Sequence, residues 1–416
     1  MTDYYDSQEI CSADERYTRL SQALPGQLKL AKEKSPYFKE MLRDIEIDSI
    51  NDPKKLEKLP VTRKSELVYI QKDSLPFGGM ITRKPGHLKR IFQSPGPTYD
   101  PEGYGEDWWR TARAFYAAGF REGDIVHNSF SYHLTPAGAM LETGAAKIGC
   151  AVIPAGVGNS ELQVKAIADI KPDGFSGTPS FLKILLKKAG ELNLNISSLK
   201  KSIVGGEALP IALRTEIENY GMSCQQIYAS ADLGCIAYES SAKEGLIIEE
   251  SLYVEIVRPG TNEPLPIGQV GEVVVTSFNP EYPLVRFGTG DLSAMLDGIS
   301  PCGRTNFRLK GWMGRADQTT KVRGMFVHPK QIATIIERHP EIIRAKLIVK
   351  KYDDRDIMVL NCAIKNDLVV THPSSFINNV SDTIQSVCKL RGEVQVVSLE
   401  EIPNDGKVIE DLREFE

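Results

Sequence analysis

Several short runs in this chain set chemically capable side chains beside glycine. In Arg286-Phe287-Gly288-Thr289-Gly290-Asp291, a carboxylate follows a flexible Gly-Thr-Gly turn. Such a carboxylate can accept two hydrogen bonds from a vicinal diol, one at each oxygen, or it can cap its own turn. Gly205-Gly206-Glu207 follows the apolar run Ile203-Val204, and glycines there let a backbone approach a ligand closely. Gly314-Arg315-Ala316-Asp317 offers a guanidinium suited to anionic oxygens, or a plain surface ion pair. Lys407 closes Ile402-Pro403-Asn404-Asp405-Gly406-Lys407. An ammonium in that loop can neutralise charge building on a reacting group, or it can be one more solvated lysine.

The elements that must carry these residues can be read from periodicity. Residues 1–80 are mostly helical, with Thr62 as a cap ahead of Glu66. From about 108 to 300, strands and helices alternate. Helices are expected at Trp108–Ala118, Ala137–Lys147, Ser160–Asp169 and Pro179–Glu191. Strands are expected at 125–128, 151–154, 174–177 and 201–205. That alternation argues for parallel β-α-β layers, whose ligands bind beyond the carboxyl ends of the strands. From Leu246 to Val275 the pattern becomes antiparallel β. Beyond Pro329 the order helix, strand, strand, helix, strand predicts a small α+β unit.

Bulk properties narrow the function classes. The 416 residues suffice for two to four domains at ~100–200 residues each. The net charge of −5, without a basic stripe interleaved with aromatics, argues against a nucleic-acid partner. No apolar run approaches the ~18 residues of a membrane span, and the first residues do not read as a secretory signal. The seven cysteines are odd in number and scattered, which points to reduced thiols and a cytoplasmic location.

Six ordered blocks give the chain a specific resemblance. They are His127-Asn128-Ser129-Phe130-Ser131-Tyr132 with Val152–Asn159; Gly177-Thr178-Pro179-Ser180; Val204-Gly205-Gly206-Glu207; Ile227-Tyr228-Ala229-Ser230-Ala231-Asp232; Val285–Leu292; and Gly314–Asp317 running to Lys321-Val322-Arg323-Gly324. Together they resemble the phenylacetate–CoA ligase branch of the adenylate-forming superfamily, which also contains peptide-synthetase adenylation domains and beetle luciferases. The resemblance implies ATP-dependent activation of a small carboxylic acid as an acyl-adenylate. Transfer to coenzyme A follows, or to a carrier-protein thiol, and a non-catalytic nucleotide binder is the other class. It implies an α/β fold: a large N-terminal domain (1–314) of mixed layers with a small β subdomain at about 246–310, a hinge at 315–324, and a mobile α+β lid at 325–416. Relatives often form homodimers.

Roles follow residue by residue from the same resemblance. Gly205, Gly206, Glu207, Tyr228, Ala229 and Ser230 would seat adenine, although Tyr228 can equally be a buried structural tyrosine. Asp291 would hold the ribose and Arg315 the ribose or α-phosphate. Asp232 stands where relatives carry a magnesium-binding glutamate, and its shorter carboxylate can hold Mg²⁺ through water. Asp317 would be the hinge pivot, Arg323 and Gly324 would border the coenzyme A path, and Lys407 would be catalytic. The acyl pocket would take Tyr132, His133, Gly138 and Gly205.

Two departures stand out. The phosphate loop of relatives ends in Gly-Lys-Pro, whereas here the run is Phe92-Gln93-Ser94-Pro95-Gly96-Pro97-Thr98. Ser94, Gly96 and Thr98 survive, the lysine is gone, and two prolines remove two N–H donors. A weaker hold on the β- and γ-phosphates is expected. Some relatives also carry zinc; the matching run here, Ser300-Pro301-Cys302-Gly303-Arg304, has one cysteine, so no zinc is expected.

Overall fold

The computed structural model describes residues 4–94, 98–316, 320–323, 325–327, 329–352, 355–365, 373–403 and 408–413. Its contacts divide the chain into two units. The first comprises 1–254, 275–289 and 295–312; the second comprises 255–274, 290–294 and 313–416. The predicted β stretch at 246–310 is therefore shared between them.

The first unit is built on parallel strands. In spatial order they are Ala151–Pro154, Ile125–Asn128, Gly174–Gly177, Lys201–Val204 and Ser223–Ser230. Their registers set Ile125 against Ala151, Val126 against Gly174, Gly174 against Lys201, and Lys201 against Ser223. The sheet continues antiparallel through Gly234–Tyr238, Leu246–Ile248 and Arg308–Leu309. Helices Ser160–Ile170 and Pro179–Leu192 cover one face through Val164, Ile167, Leu182, Leu185 and Leu186, which meet Phe175 and Val204 in a single apolar core. Burial of apolar area at about 25 cal/mol per Å² is what holds such a layer on its sheet.

Local chemistry explains the boundaries. Thr178 accepts a hydrogen bond from Phe181 N and Pro179 occupies the first turn, so Gly177-Thr178-Pro179 is a helix start in the ordinary sense. Asn193 ends that helix in the left-handed region at φ 50°. Two expectations need correction. The helix expected from Trp108 begins only at Ala112. Asp107 accepts from the backbone N–H of Thr111 and Ala112, and Arg110 sits at φ 61°, so the chain turns before the helix can start. Thr62 is not a cap but a strand residue, donating its N–H to Arg286 O and pairing with Phe287. Arg63 precedes the helix instead, its N–H meeting the Glu66 carboxylate at 3.4 Å.

The N-terminal segment is locked into the first unit by buried ions. Glu9 is wholly buried and accepts from Tyr238 Oη and Arg304 Nε, both at 2.8 Å. Arg16 pairs with the buried Glu250 at 2.7 Å. A buried charge is tolerated only where such partners surround it.

The second unit contains a four-stranded sheet ordered Glu393–Val396, Arg355–Ile364, Ile342–Tyr352 and Ile409–Asp411. Helices Pro329–Arg338 and Pro373–Cys388 supply Ile332, Ile335, Val380 and Ile384 to its core. The predicted helix-strand-strand-helix-strand order holds, with the strand Ile409–Asp411 added parallel to Ile342–Tyr352. No helix among the described residues is long and apolar enough to cross a membrane.

Candidate active site

Within the first unit, the motif residues gather where the parallel strands end. Asn128, Gly177 and Val204 close three neighbouring strands, and Ser230 closes the fourth. Gly205 N donates to Gly177 O at 3.2 Å, which holds the glycine run beside Thr178. A Cβ on Gly205 would stand 2.8 Å from the Ile227 carbonyl oxygen, so the position requires glycine. Gly206 has φ 77° and faces Phe130 and Thr178 at 3.8 Å. Glu207 accepts from Ser180 Oγ at 2.9 Å, linking two of the sequence blocks. Tyr228 is half-buried, and its hydroxyl reaches Thr289 Oγ1 at 3.2 Å. Ala229 and Ser230 follow it on the same strand.

The residues expected to line an acyl pocket part company. Asn128 Nδ2 donates to Tyr132 Oη at 2.8 Å and to Gly138 O at 2.9 Å. A Cβ on Gly138 would lie 2.7 Å from the Tyr132 ring, so glycine lets that ring lie flat on the helix. Burial, then its hydrogen bond to the neighbouring Glu142, raises the Tyr132 phenol above its ordinary range. His133, on the same loop, is exposed.

The run Arg90–Ser94 pairs with Thr98–Glu102 as a hairpin, with Ser94 opposite Thr98. Gly96 lies outside the described residues. Ser94 Oγ donates to Asp100 Oδ2 at 2.5 Å, so this surviving hydroxyl is engaged within the hairpin. Asp232 is buried, and Lys64 Nζ meets its Oδ2 at 2.5 Å. Its other oxygen, Oδ1, is buried without a partner among the described residues. An orphaned carboxylate oxygen fits Mg²⁺, a hard cation that takes one or two carboxylates and keeps its remaining positions for water and substrate oxygens.

Asp100 is wholly buried. Burial first, and the nearby Asp232 second, push its carboxyl up to about 7, against the opposing pull of Ser94 and Lys64. A carboxyl raised in the folded state holds its proton more tightly there than in the unfolded chain. Its contribution to stability is complete below about pH 4 and is lost as pH rises through about 7. Asp100→Asn, uncharged throughout, is expected to flatten the fall in melting temperature between about pH 5 and 8. Thermal denaturation of both proteins across that window checks this, and an identical pH slope would contradict it.

In the second unit, Asp291 and Arg315 form an isolated antiparallel bridge. Arg315 Nη1 donates to Asp291 Oδ1 at 3.0 Å. The backbone fixes them: Ala316 N donates to Gly290 O at 2.7 Å and Leu292 N to Gly314 O at 2.9 Å. Gly290 has φ 75°, and a Cβ there would approach Arg315 Nη2 at 2.9 Å. Arg323 spends its guanidinium on the Asp356 carbonyl at 2.8–2.9 Å. Asp317, Gly324 and Lys407 lie outside the described residues.

Sequence reading quoted Asn128 and Thr289 only within their motifs and missed Lys64 and Asp100, all four in the first unit. Thr289 could have been found from its place in the Gly-Thr-Gly turn. Lys64 lies 168 residues from Asp232, and no spacing rule links them. Among the described residues, no three His, Cys, Asp or Glu side chains group as metal ligands.

A family model described as AMP-binding enzyme matches residues 109–279. The phenylacetate-coenzyme A ligase of Aromatoleum evansii is 31% identical over 384 residues, 88% of this chain and 86% of that one. The phenylacetate-coenzyme A ligase of Pseudomonas putida is 32% identical, covering 84% and 80%. Among solved structures, an open conformation of 2-hydroxyisobutyryl-CoA ligase in complex with 2-HIB-AMP and CoA aligns with TM-score 0.72 at 23% identity, covering 97% of this chain and 92% of that one. At that identity the match establishes a shared fold.

Proposed function

The chain belongs to the phenylacetate–CoA ligase family of AMP-binding enzymes, and from that footing we infer that it converts a carboxylic acid, ATP and coenzyme A into an acyl-CoA, AMP and pyrophosphate. In the first half-reaction a carboxylate oxygen attacks the α-phosphorus of ATP. The bond to the β-phosphate breaks and pyrophosphate leaves. In the second, the thiol sulfur attacks the acyl carbon, the bond to AMP breaks, and the thiol proton passes to solvent.

The observation that carries this reading is the Asp291–Arg315 pair. It sets a carboxylate acceptor and a guanidinium donor 3.0 Å apart on a glycine-permitted turn. An acceptor for hydroxyls beside a donor for anionic oxygens matches a ribose 5′-phosphate. In our reading Asp291 takes the ribose hydroxyls and Arg315 the α-phosphate. The close-approach glycines Gly205 and Gly206, with Tyr228, form the adenine seat. Asp232 holds magnesium, which when bound offsets charge on the phosphates. Lys407 supplies the ammonium at the reacting phosphorus, and Arg323 and Gly324 border the thiol's approach. The acid enters beside Tyr132. All seven cysteines are free thiols, which suits a reducing cytoplasm.

A panel of aromatic, short-chain and hydroxylated acids, assayed for pyrophosphate release with and without coenzyme A, tests this. Release that requires both an acid and ATP, with thioester appearing only when coenzyme A is added, is the expected result. Silence across the panel, together with no AMP binding by calorimetry, would sink it. Thioester formed on a carrier protein but never on coenzyme A would reassign the acceptor.

A further inference from the structure

Among the described residues, three buried oxygens of the first unit lack hydrogen-bond partners: Asp232 Oδ1, Asp100 Oδ1 and Tyr282 Oη. All three residues are at most 2% exposed. Each carboxylate has its other oxygen engaged, Asp232 Oδ2 by Lys64 and Asp100 Oδ2 by Ser94. The two acids act on each other electrostatically, and both act on the Tyr282 phenol. Polar atoms buried like this ordinarily find partners. Three that stay unpaired, on residues that act on one another electrostatically, mark a place for a small polar occupant.

Charge selects the occupant. Two carboxylates face one ammonium, that of Lys64, which disfavours an anion and favours a cation. All the free atoms are oxygens, as hard divalent cations require. The location is equally telling. Asp100 lies two residues past Thr98, on the strand paired with Arg90–Ser94, in the run expected from the sequence to meet the phosphates.

We propose that Asp100 is a second protein carboxylate of the magnesium site, binding the ion through Oδ1 together with Asp232 Oδ1. Lys64 keeps its place on the remaining Asp232 oxygen, and the Tyr282 hydroxyl donates to a ligand of the ion. This assignment rests on the carboxylate-activation reading above. It adds that the hairpin, having lost its phosphate-binding lysine, holds the triphosphate through a metal anchored on its own strand.

The test uses the full chain with Mn²⁺ as the probe and α,β-methylene-ATP as an unreactive nucleotide. Free Mn²⁺ is followed by electron paramagnetic resonance, and AMP binding by calorimetry. Asp100→Asn keeps an acceptor for Ser94. It is expected to weaken Mn²⁺ binding by about tenfold or more, in the range seen when groups supporting a metal are lost, while AMP affinity stays within about twofold of wild type. Asp100→Ser, a smaller residue, is measured alongside in case the amide does not fold. Wild-type Mn²⁺ affinity in a folded variant would overturn the assignment of Asp100 while leaving acid activation standing. A wild-type protein that binds neither AMP nor the analogue would instead overturn the carboxylate-activation reading itself.

Discussion

Lys407→Ala is expected to lower acid-dependent ATP–pyrophosphate exchange by about 10²–10³-fold, the usual consequence of removing one preorganised donor from a developing charge. The effect should be confined to the first half-reaction. When the α-phosphorus is attacked, negative charge spreads over its oxygens, and an ammonium that meets them only then lowers the barrier without tightening ATP binding. Thioester formation from chemically supplied acyl-adenylate begins after that charge has dispersed, so it should change by no more than about threefold, under 1 kcal/mol. Stopped-flow measurement of the second step beside radiolabelled exchange for the first separates the two. Equal losses in both would show a folding defect, and undiminished exchange would remove Lys407 from the chemistry.

Asp291→Ala is expected to produce the second largest change. Two hydrogen bonds from ribose hydroxyls to a carboxylate are worth about 1.5–3 kcal/mol each. Losing both should therefore weaken AMP by about 10²-fold or more. The substitution also releases Arg315, now held at 3.0 Å, so the loss by itself does not prove a sugar contact. 2′,3′-Dideoxy-AMP supplies the control. It should bind wild type about as poorly as AMP binds the variant, and the variant should barely distinguish the two nucleotides. A variant that still prefers AMP by a large factor would mean that another group reads the ribose.

Much of this arrangement was legible because its signals are local. Helix Ala137–Lys147 and strand Ala151–Pro154 fall where the apolar periodicity puts them. Gly205 and Gly206 declare themselves as glycines, and the structure supplies the reason: a carbonyl at 2.8 Å and a positive φ. What could not be read depends on distance along the chain. Trp108–Ala118 has helical composition, but Asp107 takes the first N–H groups and holds the chain in a turn. Thr62 looks like a cap until a strand from residue 287 arrives to pair with it. Asp100 carries no signal of its own in the sequence. Only the fold sets it within electrostatic reach of Asp232 and Tyr282, from two remote segments.

The burial of Glu9 bears on how the chain is made. Its Arg304 partner lies 295 residues further along. During synthesis at roughly 5–20 residues per second, the acid therefore waits on the order of tens of seconds before its partner has even been polymerised. Until then the segment around Glu9 carries a charge that cannot be withdrawn from water. The parallel strands between 125 and 204 pair with near neighbours and can assemble on the ribosome meanwhile. Final closure of the first unit is consequently a late, long-range event of the kind that slows folding, and a nascent chain stalled before residue 304 should leave its leading segment open to protease.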